Sequence, residues 1–197
     1  MDIQKDFANK LIEFIDNSPS CFHAVEEAKK ILSEKGFKEL ILSDKWNLEK
    51  EGKYFVTRNS SALIAFVVGK GNLEEYGFKL IGAHTDSPTF RIKPNPEIIV
   101  ENKYLKLNTE VYGGPILSTW FDRPLSIAGR VAVRTDNLLK PKEMIVDMED
   151  PIMIIPNLAI HMNREVNKGV NINPQVDTLP LVSMIEEGFE KDNYLVK

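Results

Sequence analysis

The sequence predicts an α/β protein in which helices pack on short apolar strands and a strand-rich region follows. Three observations carry that reading. Two helical patterns of apolar residues open the chain, a wholly apolar run occupies 62–68 with a shorter, mainly apolar one at 79–83, and the character changes after Pro88, becoming strand-rich from Ile98 onward.

The first helix is read from Ile3, Phe7, Leu11, Phe14 and Ile15, which recur at helical spacing with charges between them. Asn17, Ser18, Pro19 and Ser20 break it. A second helix starts near Cys21, with Phe22, Val25, Ala28, Ile31 and Leu32 on one face and Gly36 as its C-terminal stop. His23 falls on the first turn of this helix, where capping or packing is its expected role. Strands are expected at 53–57 and 62–68, separated by the polar turn 58–61. The second of these is wholly apolar, as in a strand buried on both faces. Another buried strand is expected at 79–83. Pro94 and Pro96 mark a loop, and a domain boundary is placed near residues 90 to 96, giving units 1–92 and 93–197. Beyond it, strands are expected in 97–107, 108–114, 127–135 and 144–148, and a helix from about Asn157, a good capping residue. The stretch 184–197 is charged and offers no closing element.

Composition excludes several classes. Hydrophobic residues make up 43% of the 197, enough for a real core, and the net charge of −4 is mixed along the chain. No basic face suited to nucleic acid is present, and no apolar run approaches the roughly 20 residues of a membrane span. The acidic, amphipathic start does not read as a secretory signal. The single cysteine, Cys21, excludes an intramolecular disulfide and suits a small buried hydrophobe better than a nucleophile. Cytoplasmic residence is the simplest expectation.

The strongest chemical signal is 78–88, Phe-Lys-Leu-Ile-Gly-Ala-His-Thr-Asp-Ser-Pro. A short apolar run delivers His84, and Asp86 follows two residues later. Period-two alternation places both on one side if strand geometry continues that far. A neutral imidazole ligates a metal through one nitrogen, while a carboxylate accepts the other N–H and fixes the tautomer. Spacing alone is weakly specific, and a solvated polar strand end explains it more simply. Histidine is also scarce: only His23, His84 and His161 occur, far apart in sequence. A zinc site takes about three or four protein ligands, so any site here must depend on carboxylates. His161, sharing a face with Leu158 and Met162 on a helix, would by itself be a packed histidine.

Five segments in one order change the balance. They are Ser18-Pro-Ser-Cys-Phe-His-Ala-Val25, Gly82-Ala-His-Thr-Asp-Ser-Pro88, Tyr112-Gly-Gly114, Thr119-Trp-Phe-Asp-Arg-Pro-Leu-Ser-Ile-Ala-Gly-Arg-Val131, and Ile155-Pro-Asn-Leu-Ala-Ile-His-Met-Asn-Arg164. Together they resemble the aspartyl aminopeptidase family of dinuclear zinc metallopeptidases, from the first helix to about Leu181. The resemblance implies part of an α/β/α metallopeptidase catalytic domain carrying an inserted β-rich dimerisation domain. It implies removal of N-terminal Asp or Glu from peptides, two zinc ions, and homodimers that build a larger homo-oligomer, with no nucleic acid or membrane partner. His84 matches a zinc-ligand histidine, and Asp86 the carboxylate that supports it. His161 matches a histidine of the inserted domain that reaches the active site of a neighbouring subunit. The segment 120–125 matches a signature taken as structural, in which Asp122 and Arg123 are expected to pair. Pro124 departs from the acidic residue of that signature.

The family's bridging aspartate, glutamate pair, further carboxylate and final histidine lie in a second half that has no match here. The chain is therefore expected to be a fragment, inactive alone, of an aminopeptidase. Two other readings compete with it. One is a non-catalytic assembly module. The other is a different metallohydrolase with a His-x-Asp strand end, such as a carboxypeptidase-like enzyme, against which the Trp-Phe-Asp-Arg segment speaks.

Overall fold

The computed structural model describes residues 3–137, 139, 141–185 and 194–196. The charged stretch 186–193 and residue 197, noted in the sequence, lie outside the described residues. In chain order the elements are α1 (Ile3–Asp16), α2 (Cys21–Glu34), β1 (Lys38–Leu40), β2 (Lys53–Arg58), β3 (Ala62–Val67), α3 (Leu73–Tyr76), β4 (Thr89–Val100), β5 (Tyr104–Tyr112), β6 (Pro124–Leu125), β7 (Ala128–Val133), β8 (Lys142–Asp147), β9 (Met153–Ile154) and β10 (Leu181–Met184). This mixture of helices and sheets is the α/β class that the sequence predicts. The chain divides into two compact units, Met1–Ser87 with Ala128–Asp147, and Pro88–Ile127 with Met148–Lys197.

In the first unit, local sequence sets both ends of α2. The Ser20 hydroxyl accepts the His23 N–H, satisfying an orphan donor of the first turn. At the other end Gly36 adopts φ 80°, while Phe37 N–H donates to Leu32 and Gly36 N–H to Ser33. These are the paired bonds of a Schellman stop, which needs a left-handed residue where glycine sits. His23 Nδ1 also lies 2.8 Å from the Ser20 hydroxyl, so this histidine belongs to the cap.

The unit's sheet runs β1-β2-β3, with β1 parallel and β3 antiparallel to the central β2. Tyr54, Phe55 and Val56 are buried in succession, as a strand covered on both faces requires. They form this unit's core with Val25 of α2. The hairpin β7–β8 joins the same unit through Arg130. Its Nη1 donates at 3.0 Å to both the Asn59 carbonyl and the Glu143 carboxylate, and the guanidinium lies 4.7 Å over the Phe22 ring.

Two apolar runs depart from expectation. The run at 62–68 does form β3, but at the sheet edge, and Ile64 and Val67 are exposed. The run at 79–83 forms no strand and is open to solvent, with Ile81 98% exposed. Apolar content marks a segment as fit for burial. A strand also needs a neighbouring backbone to pair its N–H and C=O groups. Among the described residues no strand pairs with 79–83, and no side chain of α1 is buried.

The second unit is an antiparallel sheet in the order β4-β5-β10-β9-β6. Leu105, Leu107 and Thr109 alternate inward along β5 and are almost fully buried. Met153, Ile155, Thr178 and Leu179 complete the core. Pro94 and Pro96, expected in a loop, lie instead within β4, where the register with β5 shifts between Ile92 and Glu97. An edge strand with an irregularity is where proline, lacking an N–H, is accommodated in a sheet. Pro124 sits in β6 at the opposite edge for the same reason.

Candidate functional site

His84 and Asp86 follow the unpaired run 79–83 and lie beside the β2–β3 turn. That turn is tight. Asn59 and Ser60 both take φ 53°, the sign that a type I′ hairpin turn requires, and Ser61 N–H closes onto the Arg58 carbonyl. The Thr85 hydroxyl donates to the Ser61 carbonyl at 2.8 Å, tying the His-Thr-Asp segment to the turn.

The pair expected from the sequence is brought together. His84 Nδ1 lies 2.7 Å from the Asp86 main-chain carbonyl and 3.1 Å from its carboxylate Oδ1. A carbonyl oxygen carries no proton, so Nδ1–H must be the donor. The neutral ring then keeps its lone pair on Nε2. The preference for this tautomer has two sources, and the shorter contact is to backbone. Both side chains face solvent, His84 being 81% exposed, so the carboxylate acts mainly by orientation.

With Nδ1 committed to oxygen acceptors, His84 fits one ligand position of a metal. Among the described residues, no group of three or more His, Cys, Asp or Glu could hold an ion. A zinc site needs about three or four protein ligands. Among the described residues, the geometry offers one imidazole nitrogen oriented by two oxygens, and no complete metal centre.

His161 belongs to the second unit and is exposed. The helix expected from Asn157 does not form. Asn163 and Met162 both donate to the Ala159 carbonyl, making a single turn, and a short 3₁₀ segment follows only at Val166–Lys168. The Asn157 side chain bonds the adjacent Leu158 N–H rather than a donor further into a helix, so it caps nothing. Its own N–H is held by Asp122 Oδ1 at 2.9 Å.

Asp122 is a residue whose role sequence reasoning missed. Among the described residues it makes no ion pair with Arg123. It adopts φ 58°, donates its N–H to the Ile155 carbonyl and fixes the start of the His161 loop with its carboxylate. Local spacing suggested a neighbour, whereas the real partner is 35 residues away. In the same segment Trp120 packs edge-on against Phe90 with centroids 4.8 Å apart. The second unit also has an apolar hollow lined by Pro124, Met153, Leu181 and Met184, which contains neither histidine.

Residues 14–194 match the family model described as aminopeptidase I zinc metalloprotease (M18). The chain is 63% identical over 197 residues to a probable M18 family aminopeptidase 2 of Clostridium acetobutylicum, covering 100% of this chain and 46% of that protein. Among solved structures, the complex of Ape4 and Nbr1 matches with a TM-score of 0.84 at 35% identity, covering 98% of this chain and 36% of that one. The S. cerevisiae mApe1 dodecamer matches with a TM-score of 0.74 at 28% identity, covering 91% and 38%. The chain spans about half the length of the curated relatives it matches.

Proposed function

We propose, for a chain that belongs to the M18 family of zinc metalloproteases, that the whole protein is an aminopeptidase removing N-terminal Asp or Glu from peptides. The observation that carries the reading is the His84–Asp86 geometry, with Nδ1–H committed and Nε2 left to donate. Zinc, two ions in this proposal, would polarise the scissile carbonyl and activate water. His84 would hold one ion and Asp86 would orient it. The remaining ligands and the base that takes a proton from water would come from sequence beyond residue 197. The 197-residue chain is accordingly proposed to be inactive alone.

His161 is proposed to act across a subunit boundary, with homodimers building a larger homo-oligomer in the cytoplasm. The dodecameric state of a neighbour at 28% identity supports self-assembly. The decisive assay compares peptides that begin with Asp or Glu against neutral and basic counterparts, using protein of the relatives' full length. Hydrolysis confined to acidic N-termini is the expected result. Preference for a neutral or basic N-terminus would overturn the specificity, and absence of any peptidase activity would overturn the enzyme.

The lack of a three-ligand group among the described residues favours a second reading for the chain by itself, a non-catalytic assembly module. Activity in the 197-residue chain would dismiss that reading and the proposed inactivity together.

A further inference from the structure

We infer that Thr85 is a positioning residue for His84, acting through the β2–β3 turn that Arg130 holds at Asn59. The inference rests on the proposed function for its purpose, but its geometry stands apart from it. The shorter contact of the His84 ring is to the Asp86 main-chain carbonyl, so ring orientation follows the backbone of 84–86. Thr85 is the centre of that segment. Its hydroxyl reaches 24 residues back in sequence to the Ser61 carbonyl. No strand ladder holds the run before it among the described residues, and Leu80 and Ile81 lie open to solvent. The Thr85 bond therefore joins the histidine's backbone to a regular element.

The turn that receives this bond is itself fixed. Asn59 and Ser60 hold left-handed backbone, and the Asn59 carbonyl accepts from Arg130. Arg130 is anchored by the Phe22 ring of α2 and by Glu143 of β8. A planar guanidinium can stack and donate at once, which a lysine cannot reproduce. The connection thus runs from α2 through Arg130, the turn and Thr85 to His84. Two donations to adjacent parts of one tight turn convert a solvent-exposed segment into a placed one.

The test uses Thr85→Val, which keeps the β-branched shape and removes the donor, beside Thr85→Ser, which keeps the donor. In the full chain, long-range proton–nitrogen NMR of the three imidazole rings reads the tautomer of His84 directly. Backbone amide signals of β2 and β3 report whether each variant is folded. The expected result is a dominant Nδ1–H form in the parent and in Thr85→Ser, with loss of that dominance in Thr85→Val. An unchanged tautomer ratio in folded Thr85→Val would overturn the inference, as would equal loss in Thr85→Ser. In protein of the relatives' length, zinc affinity should fall about tenfold with Val, the low end for an orienting partner, and recover with Ser. Equal zinc affinity with Thr and Val would also overturn it. A parent protein that shows the Nδ1–H form yet cleaves no peptide would instead count against the proposed activity.

Discussion

Replacing Asp86 by alanine should weaken zinc binding by about tenfold, at the low end of the 10- to 100-fold range for residues that orient a metal-bound histidine. The reason is the division of labour at Nδ1. Asp86 offers the ring two oxygens, and alanine removes only the carboxylate, at 3.1 Å. The carbonyl at 2.7 Å is main chain and survives any substitution. The carboxylate that is lost is 40% exposed, so water screens its field and its electrostatic support is small. A buried carboxylate holding the ring alone would sit near the upper limit. The assay is competition for zinc against a chelator of known affinity, in protein of the relatives' full length. Asp86→Asn is run alongside, because it keeps an oxygen acceptor and should lose less. A loss beyond 100-fold for Asp86→Ala would refute the reasoning, since the main-chain oxygen could not then be sharing the work. No loss would equally remove Asp86 from the site.

The two other chemical residues separate by readout. His84→Ala should abolish peptidase activity together with zinc at its site, whereas His161→Ala should lower turnover with zinc content unchanged. Mixed oligomers of the two variants should regain activity; mixed oligomers without recovery would remove the cross-subunit role of His161. Leu105→Ala, at a fully buried position on an interior strand of the second unit's sheet, should cost about 2–5 kcal/mol in denaturant unfolding. A loss below 1 kcal/mol would mean that this sheet lacks the packed core described. Ser20→Ala should cost about 1 kcal/mol by removing the α2 cap, measured the same way, and Ser20→Asp should restore most of it.

What the sequence made legible was local chemistry. The ends of α2 were readable because Ser20 and Gly36 act within a few residues of themselves. The hairpin β2–β3 was readable because apolar runs flank a short polar turn. The pairing of His84 with Asp86 was readable from an interval of two residues. What failed depended on partners elsewhere. The run 79–83 has the composition of a buried strand, but pairing is a property of two backbones, and composition records only one. Asn157 has the identity of a helix cap, but its N–H is claimed by Asp122 from far upstream. Pro94 and Pro96 signalled an interruption correctly and its kind wrongly, since a strand at a sheet edge can carry a register shift without becoming a loop. Thr85 had no sequence signal beyond lying between two chemical residues. Its significance comes from a carbonyl 24 residues away.

The first compact unit is discontinuous in the chain, because Ala128–Asp147 belongs with Met1–Ser87. During synthesis, the β2–β3 turn emerges long before Arg130, the side chain that secures it. Translation proceeds at about 5–20 residues per second, so the roughly 60 residues from 88 to 147 occupy about 3 to 12 seconds. That interval far exceeds the roughly 1–10 microseconds in which a β-hairpin forms. Residues 1–87 therefore wait on the ribosome as an incomplete body, with the His84 segment already exposed and its last brace still unmade. Nascent chains arrested before and after residue 147 should differ in how readily protease cuts near Asn59. The timing of that protection would give the order in which this half of the protein acquires its shape.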